Sequence, residues 1–262
     1  MEPRDGGYLP GSMIRIGTSG WLYREWRGRF YPEELRQDDW LPSYAARFPA
    51  VEVNNSFYRL PDPETFRRWR ERTPAGFSFA VKVSRFLTHL RRLRDPEEPW
   101  ERLWSRAVEL GPRLGPLLFQ LPPRFPADVE RLRGLLDLLP RRARSAFEFR
   151  DPSWLVPDVF ELLERAGAAL VWPDRPGARQ DLPLVSGWAY LRFHQGQPDA
   201  PAYTRASLTA WADRIAGLPA DEVWVFFNND QAAAAPHDAL SLTALLDERG
   251  AEVLGPTSAG AS

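Results

Sequence analysis

Short apolar, β-branched or aromatic runs alternate with amphipathic segments along almost the whole chain, and this rhythm limits the fold more than any other feature. The candidate strands are Ile14–Thr18, Val51–Asn54, Phe77–Val83, Pro116–Gln120, Ala146–Arg150, Ala169–Trp172, Ala189–His194 and Glu222–Asn228. Helical patterns lie between them: Leu41–Phe48, Pro63–Arg72, Trp100–Leu110, Asp128–Leu139, Pro157–Ala166, Arg205–Ile215 and Asp238–Glu248. Asp62-Pro63 and Thr204 supply start signals for two of them. Only the connection after Trp172 lacks a clear helix. Regular alternation implies an α/β fold with a parallel sheet. Eight strands in a chain of 262 residues suit a single closed (β/α)8 TIM-like barrel. An open dinucleotide-binding sheet would need a glycine-rich fingerprint after the first strand, and Gly17-Thr18-Ser19-Gly20-Trp21 does not supply it. The expected domain spans 13–254, with disordered extensions at 1–12 and 255–262.

Side-chain alternation then sorts the strand residues. Where the apolar residues face the helices, their neighbours face the barrel axis. That places Glu52, Asn54, Lys82, Gln120, Glu148, Arg150, Arg192, His194 and Asn228 inside. Barrel interiors are ordinarily filled by branched apolar side chains, and active sites sit at the C-terminal ends of the strands. Most of these polar residues fall near those ends. Buried charges must pair, and pairs stabilise less than apolar packing does, so stability alone does not account for such an interior. A ligand site does.

Composition sharpens the choice. Of 34 Lys and Arg residues, 33 are arginine and Lys82 is the one lysine. Asparagine occurs only as Asn54-Asn55 and Asn228-Asn229. A lysine retained against that background is a candidate for chemistry that a guanidinium cannot perform, including deprotonation and imine formation. The net charge of −1 disfavours a uniformly basic nucleic-acid binder. Arg59–Arg94 nevertheless carries ten basic residues against three acidic ones. Absent cysteine excludes disulfides and thiolate chemistry. With no apolar run near ~18 residues and no signal-like N-terminus, a cytoplasmic protein without membrane contact is expected.

Several motifs occur together: Ile16-Gly17-Thr18-Ser19-Gly20-Trp21, Val51-Glu52-Val53-Asn54-Asn55-Ser56-Phe57-Tyr58-Arg59, Phe79-Ala80-Val81-Lys82-Val83 and Thr88-His89. Further along come Leu118-Phe119-Gln120-Leu121-Pro122-Pro123, Glu148-Phe149-Arg150 with Ser153-Trp154, Tyr190-Leu191-Arg192-Phe193-His194 and Phe227-Asn228-Asn229-Asp230. In this order they resemble the uncharacterised YecE-like family (domain of unknown function 72). The resemblance implies a TIM barrel and no agreed activity. One departure is Gln195-Gly196, where the family usually has Gly directly after the histidine.

The favoured chemistry is a metal-independent enzyme, without cofactor, acting on an anionic, phosphorylated or sugar-like small molecule. Lys82 as base, electrostatic anchor or imine former, Glu148 as acid/base, and His194 are the candidate catalytic groups. Arg150 and Arg192 are expected to bridge the anion, joined by Arg85 and His89. Asn54, Gln120 and Asn228 would orient hydroxyls. Thr18, Glu52, Asp174 and Asp230 complete the candidate substrate set, with Trp21, Tyr58 and Trp154 as stacking surfaces. Glu52 is expected opposite Lys82, and Glu148 opposite Arg192 or Arg150. Only His194 and His89 are placed as nitrogen ligands, with Glu148, Asp174 and Asp230 as oxygen ligands, so a multi-metal site is not expected and a single Mg2+ or Mn2+ stays open as an alternative. A nucleic-acid-binding or repair protein of the endonuclease IV type, and a non-catalytic ligand sensor, are the alternatives. Nothing in the sequence sets the oligomeric state.

Overall fold

The computed structural model describes residues 12–178, 181–195 and 200–256. Eight parallel strands close into a barrel in sequence order. They are β1 (Met13–Ser19), β2 (Ala50–Val53), β3 (Ser78–Lys82), β4 (Leu114–Gln120), β5 (Ser145–Glu148), β6 (Ala169–Asp174), β7 (Trp188–Phe193) and β8 (Glu222–Phe227). The helices around them are α1 (Trp40–Ala45), α2 (Asn55–Tyr58), α3 (Pro63–Glu71), α4 (Glu97–Ala107), α5 (Val129–Leu138), α6 (Pro157–Ala166), α7 (Arg205–Ala216) and α8 (Ala234–Asp247). The described part of the connection from β6 to β7 holds no helix, as the sequence implies. The expected terminal extensions lie mostly outside the described residues, as does Gly196.

Local chemistry fixes the helix starts. The Asp62 carboxylate accepts the Thr65 amide at 2.7 Å with Pro63 at the first helical position, and Thr204 caps α7 by accepting the Ser207 amide at 3.1 Å. At α8 the helix begins at Ala234, a turn before the expected Asp238. An alanine run carries no capping side chain to mark its start, and Pro236 is tolerated in the first turn because its missing N–H has no partner there in any helix.

Two apolar layers result. Between strands and helices lies a large core that includes Phe66, Phe79, Phe119, Phe147, Leu163 and Phe227. Inside the barrel, Trp188, Tyr190, Trp224 and Phe226 of β7 and β8 are accommodated by Ala50, Ala80, Ala146 and Ala169 on the other strands. Small residues opposite large ones let side chains fill the tapered interior. This apolar plug occupies the lower barrel and leaves the polar residues at the C-terminal mouth.

Gly17 shows how tightly β1 and β2 meet. A Cβ there would run into the Ala50 carbonyl oxygen. The Tyr44 hydroxyl of α1 ties the same place together, donating to the Ala50 carbonyl at 3.1 Å and accepting the Thr18 amide at 2.8 Å.

Candidate functional site

Alternation on β7 aims Tyr190, Arg192 and His194 at the axis, and Arg192 organises the site. Its Nε and Nη2 donate to the two oxygens of Glu52 at 3.0 and 2.7 Å, and its Nη1 donates to Glu148 Oε2 at 2.6 Å. One guanidinium thus bridges carboxylates from β2 and β5 across the barrel. Glu52 also accepts from the Ser19 hydroxyl and the Tyr190 phenol, each at 2.7 Å. Glu148 accepts from Gln120 at 2.8 Å and from Arg150 Nε at 2.9 Å.

Burial alone would raise both carboxyls, but the Arg192 charge and these hydrogen bonds hold them below the usual carboxylate range. Glu148 therefore stays ionised and has no proton to give, which corrects the expected acid half of its acid/base role. Arg192 is 1% exposed, with its fork committed to the two glutamates. The expected bridging of an anion by Arg150 and Arg192 does not survive that geometry. Arg150 keeps part of its guanidinium exposed.

Lys82 is not paired with Glu52, as the sequence implies it should be. Its Nζ lies 4.4 Å from the centre of the Phe57 ring, and it makes no hydrogen bond or ion pair with the described residues. It is 9% exposed. Burial and the Arg192 charge push its ammonium down to about 8, against the opposing pull of Glu52 and Glu148. The two glutamates are balanced by Arg192 and Arg150, which leaves Lys82 as surplus positive charge at the mouth.

Around it lie further unspent groups. His194 Nδ1 accepts from the Asn228 amide at 3.1 Å, which puts the proton on Nε2. That Nε2 is buried without a partner among the described residues, 3.9 Å from Glu148 Oε1. Burial and Arg192 lower the ring to about 3, so it is neutral at physiological pH. Asn54 Oδ1 is likewise buried without a partner. His89 meets Phe57 edge-on at 4.9 Å and is lowered to about 4, by burial first and the Lys82 charge second.

Other expected site residues lie elsewhere. Thr18 faces the helix layer and bonds the Tyr44 hydroxyl at 2.9 Å. Trp21 is buried against Trp69 and Phe79, and Trp154 stacks on Phe149 while donating to the Phe125 carbonyl at 2.6 Å. Both are core residues rather than stacking platforms. Asp174 points outward, accepting from Trp211 of α7 at 2.9 Å. Tyr58 is 74% exposed and Arg85 is exposed at the rim. Asp230 lines a cavity of about 340 Å3 that also includes His194 and Asn228. Sequence reasoning missed Ser19 and Tyr190, which hold Glu52, although strand alternation could have found both. It also missed Phe57, carried on the four-residue α2, which is too short for a periodicity signal.

Among the described residues no three His, Asp or Glu side chains converge as a metal set, and no helix is long and apolar enough to cross a membrane.

Comparison with known proteins places this geometry in a lineage. A DUF72 family protein of Thermotoga maritima is 30% identical and superposes with a TM-score of 0.77, covering 90% of this chain and 99% of that one. A DUF72 family protein of Enterococcus faecalis is 20% identical with a TM-score of 0.73, over 90% of this chain and 96% of that one, a likeness of fold. The UPF0759 protein YunF of Bacillus subtilis is 27% identical over 90% of this chain and 95% of its own length. The UPF0759 protein YecE of Escherichia coli is 33% identical over 54% of this chain, and the match spans only half of YecE. The family model described as "Protein of unknown function DUF72" matches residues 15–261, and the chain belongs to that family.

Proposed function

We propose that this barrel is a metal-independent enzyme acting on a small anionic, sugar-like substrate at its C-terminal mouth. The supporting observation is Lys82: a buried cation, unpaired among the described residues, above a network whose other charges cancel. An anion satisfies it. Lowered to about 8, the amine also has a neutral fraction of roughly a quarter near pH 7.5, enough to act as base or carbonyl nucleophile. His194 Nε2–H donates to a substrate oxygen, and Asn54 Oδ1 accepts from a hydroxyl. Glu52, Glu148 and Arg192 act beneath, fixing the layer that positions these groups. Calorimetric titration with a panel of aldose and ketose phosphates tests this reading. Lys82→Met should weaken binding at least tenfold, while Lys82→Arg should retain binding and lose turnover. If both variants bind and turn over like the parent, the reading fails.

One observation favours nucleic acid as a second reading. Beside the mouth, His89, Arg91, Arg92, Arg94 and Arg131 line an open cavity of about 630 Å3, with Leu90 exposed beside it. Affinity for single-stranded DNA that falls steeply with salt, with a log–log slope of about −0.7 per phosphate contacted, would support it. No measurable binding at low salt would remove it.

A further inference from the structure

The N-terminal end of the barrel carries a cavity of about 500 Å3 whose wall includes Arg15, Arg142, Arg144, Glu222, Trp104 and Trp224. In most (β/α)8 barrels this end serves stability. Arg15 and Trp224 are register partners on β1 and β8, and the guanidinium lies 4.8 Å from the indole centre. Arg142 lies over Trp104 at 5.5 Å and Arg144 over Trp188 at 5.8 Å. Stacking of this kind fixes a guanidinium's plane and leaves its N–H edge for an oxyanion. Gly115 clears the floor, since a Cβ there would come within 3.2 Å of the Trp224 ring.

Two features are unexplained by a structural plug. Glu222 pairs with both Arg15 and Arg144, which leaves the wall with three guanidiniums against one carboxylate. The Trp224 indole N–H and Arg15 Nε are buried and have no acceptor among the described residues, while Glu222 Oε2, the one buried atom of this wall left without a donor, faces Arg144 as its ion-pair partner. A buried donor without an acceptor loses its hydration with nothing in return, and two in one cavity wall call for acceptor oxygens. A surplus of two positive charges matches a doubly charged oxyanion.

We propose that this cavity is a second anion site, independent of the mouth, that takes a phosphate or phosphate monoester. Arg142 and Arg144 engage its oxygens from the rim, and the Trp224 indole N–H donates from the floor. The test uses the full chain with the mouth disabled by Lys82→Met, labelled with 15N so that the Trp224 indole N–H can be assigned and followed by NMR. Inorganic phosphate should shift that resonance saturably, whereas chloride at matched ionic strength should not. Arg142→Gln, at an exposed position, should weaken the apparent affinity at least tenfold while leaving the melting temperature within a few degrees of the parent. A Trp224 resonance that stays still, or drifts equally with chloride, overturns the proposal. So does a saturable shift that Arg142→Gln leaves unchanged.

Discussion

Arg192 pairs with Glu148 as the sequence suggests, but it also takes Glu52, the partner expected for Lys82. Alternation correctly puts both on the axis, but it carries no information on which charges meet across a barrel, because that depends on the stagger between strands. Arg192 reaches two carboxylates on other strands, whereas Lys82 rests on Phe57. Arg192→Leu would leave Glu52 and Glu148 buried without their shared counter-charge, and a loss of about 3–5 kcal/mol is expected in urea unfolding. Adding Glu52→Gln and Glu148→Gln should recover part of that loss. If Arg192→Leu alone is neutral, the bridge is not what holds the layer. Lys82 should behave oppositely. Its folded value of about 8 lies below the unperturbed 10.5. Below pH 8 both folded and unfolded chains carry the proton, and the cost of burying the charge is fully present. Between pH 8 and 10.5 the unfolded chain binds more protons, so stability contributed by this residue rises with pH. Lys82→Met should therefore be more stable than the parent at pH 7, with the gap narrowing towards pH 10. A gap independent of pH would contradict this.

At the scale of elements, strands were easier to read than their ends. β5 was expected to run to Arg150 and β8 to Asn228, yet regular pairing stops at Glu148 and Phe227. Arg150 and Asn228, just beyond, turn their side chains to Glu148 and His194. A side-chain cap marks a helix start to within a residue, as at Pro63 and Arg205, while α8 has none and starts a turn before the expected Asp238. Thr204→Ala should cost about 1 kcal/mol through the lost cap of α7. Gly17→Ala should cost more, because it forces β1 away from the Ala50 carbonyl at the strand pair that carries Ser19 and Glu52. Thermal melts of the two variants rank these effects. Equal melting temperatures for Gly17→Ala and the parent would show that the close approach is unimportant. The aromatic residues of the βα loops were the least legible. Nothing local distinguishes Trp154, stacked in the core, from a tryptophan at a binding rim.

For the molecule as a whole, the closed barrel divides the interior into an apolar lower plug and a polar mouth. The fold was legible because short apolar strands, buried on both faces, recur at regular intervals between amphipathic helices, and the family motifs agree with that order. The chemistry was legible only as a set of residue types, because the balance of charge among them emerges from their distances. That balance leaves Lys82 uncompensated, and the proposed function depends on it. Being the one lysine in 262 residues, it can be observed directly. Protein grown with 13C-labelled lysine should give a single side-chain Cε signal whose pH titration reports this amine alone. The expected result is a midpoint near 8 that moves upward when a sugar phosphate is added, as an anion beside an ammonium requires. A midpoint at the ordinary lysine value of about 10.4, indifferent to every anion tried, would contradict the account.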